Sequence, residues 1–496
     1  MYVKRFPVAE FRAVDRLTCA AQRLPIRPRN EVDILQISFF AARMRLSDRI
    51  PLMPEQQPVD LLIEARWVLP IAPMNAVLPN SAVAVTDGRI VAVGPARELE
   101  ARFAPLEHIV RSDHALMPGF VNAHAHAATV LLRGLPVRPP LSRFLRETVW
   151  PTERRYMSED FVRDGTQLAI AEMLRAGITA FGDMYLYPEE AARAAAAARM
   201  RAVIGLPVFE GPTPWAENVT GYLAKGERLW DEYKSDPYVG LYFAPHAAAA
   251  MGDTTLTHLR ALADELDARV AVSLHETQVE IRESLATAGL RPLQRLAELG
   301  LLRPGFAAVH MNHLEPADLD LIAQTGISVV ACPQSSLRLG SGACPIGELR
   351  ARDVPLGLGT GSAITAGALD ILAEARAAAL LSGSAGSEER AMTSESILWM
   401  ATLGGACTLG LGSKIGSLEL DKAADLIAID LSELASQPAG ATADAVLFAA
   451  TRHQISDVWI GGRAAVSAGR LLSFDEEELL ALSRQWQERL HIGVDA

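Results

Sequence analysis

Two histidines, His124 and His126, stand one residue apart at the end of a strand-like run, PGFVNAHAH (118–126). Residues two apart on a strand face the same side. Neutral imidazoles placed this way can grip one divalent metal, and zinc accepts such ligands. Ser273 and His275 repeat the spacing in RVAVSLHET (269–277), and His310 ends FAAVH (306–310). A centre built on His124, His126 and His310, with or without His275, is one arrangement these residues allow. Asp183, in FGDMY (181–185), is a candidate carboxylate for proton transfer, or in a plainer role a hydrogen-bond acceptor at a strand end. An H-x-H pair alone also fits two polar residues opening a loop, so the elements around it must decide.

Those elements have a regular cadence. Helical stretches such as 159–176 alternate with short apolar runs: AVIGLPV (202–208), VGLYFAP (239–245), RVAVSL (269–274), FAAVH (306–310), SVVACP (328–333) and VPLGLGT (354–360). Strand and helix in alternation predict a parallel α/β fold, and about eight such units predict a (β/α)8 TIM barrel. The flanks read differently. VDLLIEARWVLP (59–70), AVAVTDGRIVAVG (82–94) and the segments 414–430 and 454–472 read as β-strands. Asp87-Gly88 between two alternating apolar runs signals a hairpin. The expected organisation is a leader over 1–57, β-sandwich strands over 58–117, a barrel over 118–409, further sandwich strands over 410–472 and a terminal helix over 473–496. N- and C-terminal segments thus share one small β-sandwich.

The chain has 496 residues, half of them apolar, and a formal charge of −12. Wholesale disorder is excluded. An acidic balance argues against a nucleic-acid partner or an anionic membrane surface and fits an enzyme with a small-molecule substrate. Cys19, Cys332, Cys344 and Cys407 show no C-x-x-C spacing, so a reducing, cytoplasmic setting is expected. Cys332 and Cys344 read as inert thiols, and His108, His114 and His258 as residues without companion ligands. Residues 1–50 carry ten Lys and Arg against five Asp and Glu. They read as a basic targeting or docking arm or, more plainly, as a loosely ordered leader or sequence ahead of a later start at Met44 or Met53.

Longer motifs then become specific. PGFVNAHAHAATVLLRG (118–134), AGITAFGDMY (176–185), LYFAPHA (241–247), LHETQVE (274–280), GISVVACPQSSLRLGSGACP (326–345), GALDILAEAR (367–376) and TRHQISDVWIGGR (451–463) occur in order over roughly 58–472. The chain resembles the amidohydrolase superfamily, most closely its 5′-methylthioadenosine/S-adenosylhomocysteine deaminases. The resemblance implies a divalent metal, zinc by expectation. It also implies hydrolysis of a C–N bond in an aminopurine nucleoside or another N-heterocycle, and a homo-oligomer. His124 and His126 match its first two metal ligands. His246 matches a substrate-pocket histidine, Glu276 a proton-shuttling glutamate, and His310 a histidine that polarises the attacking water.

Two positions depart from the family pattern. Its H-x-x-E-T histidine falls on Ser273, and its G-T-D aspartate falls on Gly361. Glycine can neither ligate a metal nor take a proton, and two protein ligands are fewer than a catalytic zinc requires. Loss of a general base ordinarily costs about 10²–10⁴-fold in rate. Ala331 and Ser336 depart from the pattern as well, as do the residues after Leu135 and after His246. Three readings follow: a hydrolase of impaired or altered activity, a catalytically inactive paralogue that binds a nucleoside or pairs with an active homologue, and a decaying copy.

Overall fold

Asp87 and Gly88 adopt left-handed φ of 50° and 72°. Both central residues of a type I′ turn need φ > 0, and that turn matches the twist of the strands it joins. The chain therefore reverses from β2 (Leu78–Thr86) into β3 (Arg89–Pro95), with Thr86 opposite Arg89. β1 (Gln57–Val68) pairs antiparallel with β2, and β4 (Phe103–Pro118) pairs parallel with β1. The structure, a computed structural model, describes residues 56–490 apart from 247–250, 385–390, 439 and 441–442. All but the last two residues of the expected leader therefore lie outside the described residues, as do the terminal residues 491–496 and Ala247–Ala250.

Nine short parallel strands follow. They are β5 (Phe120–His126), β6 (Ile178–Asp183), β7 (Arg201–Val208), β8 (Val239–Pro245), β9 (Arg269–Leu274), β10 (Phe306–His310), β11 (Ser328–Ala331), β12 (Leu356–Leu358) and β13 (Gly361–Ser362). Helices connect most of them, as parallel pairing demands. The last two strands are halves of one run broken at Gly359-Thr360. The first half pairs with β11 and the second with β5, which brings the sheet round on itself. This is the predicted (β/α)8 architecture, and its core is lined by inward residues such as Val121, Val203, Val309 and Val330.

After the barrel the chain returns to the first sheet. β14 (Leu426–Asp430) pairs antiparallel with β4, and β15 (Ile455–Ile460), β16 (Arg463–Ser467) and β17 (Arg470–Leu471) extend it. The order is β17-β16-β15-β14-β4-β1-β2-β3, one mixed sheet built from both chain ends. The short helix Ala96–Arg102 covers one of its faces.

Candidate active site

β5 ends at His126 and carries His124 on the same side of the strand. Their rings meet edge to face, 4.8 Å apart at 83°. His310, at the end of β10, brings a third ring 5.9 Å from His124. Barrel strand ends deliver side chains to one mouth, and that mouth is where barrel chemistry is sited. His126 Nδ1 bonds the Met184 carbonyl at 2.5 Å, which fixes the proton on Nδ1 and leaves Nε2 with a lone pair. His124 Nε2 and His310 Nδ1 are buried without a hydrogen-bond partner among the described residues. Burial pushes the His126 and His310 imidazoles down to about 4 and His124 well below its ordinary value. The three rings are neutral, and neutral imidazoles with unpaired buried nitrogens suit a divalent metal.

The donor set is nevertheless short. Ser273 lies on β9 opposite Val309 of β10 and is half-buried. Gly361 lies opposite Ala125, beside both histidines, with φ +62°. The loop holding Gly361 is fixed tightly. Asn122 Nδ2 donates to Thr360 Oγ1 at 2.9 Å, and Thr360 N donates to Asn122 Oδ1 at 3.1 Å. A Cβ on Gly359 would come 2.8 Å from the His124 carbonyl oxygen, so only glycine allows this approach. A Cβ on Gly361 would meet nothing closer than Ser335 Oγ at 3.7 Å. A Cβ at 361 would fit among its neighbours, but the φ of +62° lies in the left-handed region that strains most side chains.

His275 does not join the cluster, which corrects the four-histidine arrangement. The i, i+2 argument holds only while the backbone stays extended. β9 stops at Leu274, and His275 takes φ +50°. Its ring points into the protein behind the barrel wall. Leu293 N donates to its Nε2 at 3.1 Å, and its Nδ1 bonds the His313 carbonyl at 3.2 Å. Both nitrogens are used structurally.

Glu276 follows and faces the pocket, its carboxylate 3.7 Å from His310 Nε2. Burial raises that carboxyl to about 7. It is held from behind. Glu280 accepts from His275 N at 3.1 Å and Glu276 N at 2.9 Å, and Asn312 Nδ2 donates to the Glu276 carbonyl at 3.2 Å. A carboxyl near 7 beside a neutral imidazole can carry a proton in either direction at neutral pH. His246 lies at the end of β8, stacked on Phe209 with ring centres 4.6 Å apart.

Asp183 Oδ1 accepts from Ala127 N at 2.7 Å, which braces the turn after His126, and burial raises its carboxyl to about 7. Sequence reasoning missed two residues at this mouth. Tyr185 packs its ring 6.1 Å from His126 and donates to Glu153 Oε1 at 2.6 Å. Burial raises the Glu153 carboxyl to about 7. Tyr185 could have been found, since it sits two residues past Asp183 at a strand end. Glu153, on the helix Trp150–Tyr156, had no local signal.

Comparison with known proteins agrees with this architecture. The pattern described as Amidohydrolase family matches residues 115–465, and an imidazolonepropionase-like composite domain of bacteria matches residues 82–104. A 5-methylthioadenosine/S-adenosylhomocysteine deaminase of Teredinibacter turnerae is 38% identical over 438 residues, 88% of this chain and 99% of that protein. Its namesake in Moorella thermoacetica is 32% identical over 87% of this chain and 99% of that protein. The crystal structure of an adenosine deaminase from Xanthomonas campestris with bound zinc superposes with a TM-score of 0.87. That protein is 42% identical, with coverage of 88% of this chain and 99% of the other. The atrazine chlorohydrolase of Arthrobacter aurescens TC1, complexed with zinc, shares the fold with a TM-score of 0.78 at 21% identity, covering 86% and 99% of the two chains. The chain belongs to the amidohydrolase family.

Proposed function

We propose that this chain binds an aminopurine nucleoside, or a related N-heterocycle, at the barrel mouth and hydrolyses its exocyclic C–N bond only weakly. The observation that carries this is Gly361. It pairs with Ala125, between His124 and His126, and has no side chain to bind a metal or take a proton. His124 and His126 would hold a divalent metal, zinc by the chemistry of the donors and by the zinc in the Xanthomonas campestris protein. When bound, such an ion supplies Lewis-acid activation of a water molecule. The chain's own residues do the rest. Glu276 exchanges a proton with a ring nitrogen, His310 orients the reacting centre, and His246 with Phe209 offers a flat aromatic face to the base. Gly361 itself cannot take the proton from the water, so binding outlasts turnover. A nucleoside-binding paralogue without turnover is the second reading, and Ser273 together with Gly361 favours it. A homo-oligomer completes the proposal, by resemblance to the family. Among the described residues no helix is long and apolar enough to cross a membrane.

The test is to rebuild the pocket. Zinc content and ammonia release from 5′-methylthioadenosine, S-adenosylhomocysteine and adenosine are measured for the parent and for the Ser273→His/Gly361→Asp double variant. Asp tolerates the left-handed region better than most residues, so the strain at 361 stays below about 1–2 kcal/mol. The expected result is higher zinc occupancy and at least about 10²-fold faster ammonia release in the double variant. Nucleoside should raise the parent's melting temperature. A parent as fast as its double variant would overturn the impairment. A folded, zinc-loaded double variant that neither binds nor hydrolyses any of the three would overturn the substrate class.

A further inference from the structure

Outside the barrel, three side chains from three elements converge on the face of the eight-stranded sheet that the helix Ala96–Arg102 covers. They are Glu64 of β1, Glu100 of that helix and His108 of β4. One ligand atom from each lies within 4.8 Å of the other two. His108 Nε2 contacts Glu64 Oε1, and the Glu64 and Glu100 carboxylates are close enough to share a hydrogen bond. Register creates the meeting. β1 and β4 pair with Leu62 opposite His108, and Glu64, two residues on, shares that face. The helix packs there through Ala96 and Leu99 beside Leu62, and Gln56 Nε2 donates to the Glu100 carbonyl at 2.6 Å.

The set is chemically mixed, one imidazole with two carboxylates. Among the described residues, Glu100 and His108 are the charged groups that act most on Glu64. Two carboxylates at one imidazole are unfavourable unless a proton or a cation lies between them. The side chains stay reachable, His108 36% and Glu64 17% exposed. This corrects the expectation that His108 has no companion ligands. One companion lies on a different strand 44 residues upstream, where no local motif reveals it.

We infer that Glu64, Glu100 and His108 form a second divalent-cation site, separate from the barrel mouth, that takes a zinc-class ion and fastens the helix to β1 and β4. One nitrogen and two oxygen donors suit a borderline ion such as zinc, and the lack of a thiolate makes soft monovalent copper a poor fit. Zinc binds carboxylate oxygen and imidazole nitrogen at about 2.0–2.2 Å, so the three atoms must draw closer. Rotamer changes in three solvent-reachable side chains provide that movement. The remaining coordination position is open to water, consistent with a surface site. The inference does not depend on the deaminase reading.

Zinc alone is the probe, titrated by calorimetry and thermal shift into the full-length, chelator-stripped protein. A His126→Ala background silences the barrel mouth. The His126→Ala chain should still bind about one zinc per chain and melt at higher temperature when zinc is added. Adding Glu100→Gln, at the exposed helix surface, should weaken that binding at least tenfold, and adding His108→Ala should remove it. Glu107→Gln, next to His108 in sequence but outside the cluster, should change nothing. A His126→Ala chain that binds no zinc would overturn the site. So would zinc binding in that chain that is unmoved by Glu100→Gln and by His108→Ala. Should His108→Ala fail to fold, Glu100→Gln decides alone.

Discussion

Glu374 shows how one buried group can be read on its own. It sits on the helix Ile371–Ser384 with no exposed surface. One carboxylate oxygen accepts from Gln334 N at 2.9 Å, and the other has no partner among the described residues. Burial pushes its carboxyl up to about 8, from an ordinary 4.5. The folded chain therefore keeps this proton up to pH 8, whereas the unfolded chain releases it near 4.5. The group's stability contribution is fully present below pH 4.5. It is lost as pH rises toward 8, by at most about 1.4 kcal/mol per pH unit. Glu374→Gln keeps shape and hydrogen bonding without the titration. In urea titrations the variant should match the parent's unfolding free energy at pH 4.5 and exceed it by about 1–3 kcal/mol at pH 8. Equal differences at both pH values would show that Glu374 does not hold its proton. The same logic separates the pocket's residues. Glu276 and Glu153 are raised to about 7 by burial, inside the range where proton transfer matters, and Gly361 offers nothing to titrate.

The C-terminal helix Glu476–Leu490 carries its own start signal and its own anchor. Asp475 accepts from Glu477 N at 2.8 Å, and three glutamates follow in the first turn, favourable for the helix dipole. Trp486 is the anchor: it is 4% exposed, meets Phe161 edge to face at 5.3 Å and donates its indole N–H to Asp164 at 2.9 Å. Trp486→Ala should cost about 3–5 kcal/mol in thermal or urea unfolding. A cost under about 1 kcal/mol would mean that this helix does not dock in solution. Local chemistry made such elements legible. Asp87-Gly88 names its own turn, and the strand–helix cadence names the barrel. The fate of His275 was not legible, because a non-glycine residue at φ +50° ends the two-residue period without any marker in the sequence. Glu153 and the His108 cluster were hidden for a different reason. Each is assembled by register and packing between elements far apart in the chain. Gly361 drew notice only against the family motif, since a glycine alone signals a turn.

At the scale of the whole molecule, Asp425 is one buried point that fastens the barrel to the two-ended sheet. It lies just ahead of β14. Its carboxylate grips Arg201, at the start of β7, through two bonds of 2.6 and 3.0 Å. The same carboxylate accepts from Gly461 N at 2.8 Å, and its backbone carbonyl accepts from Gly119 N at 3.0 Å, between β4 and β5. The Arg201 and Asp425 side chains are 13% and 2% exposed. The pair itself need not add much net stability, because removing two charges from water offsets most of their attraction. Breaking it is another matter, since a lone guanidinium would remain in the seam. Asp425→Ala should therefore cost about 3–5 kcal/mol and loosen the sheet from the barrel, visible as faster amide exchange in β14 and β15. Arg201→Met combined with Asp425→Leu should recover a large part of that loss, because no charge is left unpaired. A double variant as unstable as Asp425→Ala would assign the seam's strength to the ion pair itself. It would also mean that the family fold here depends on an electrostatic fastening rather than on the apolar contacts around it.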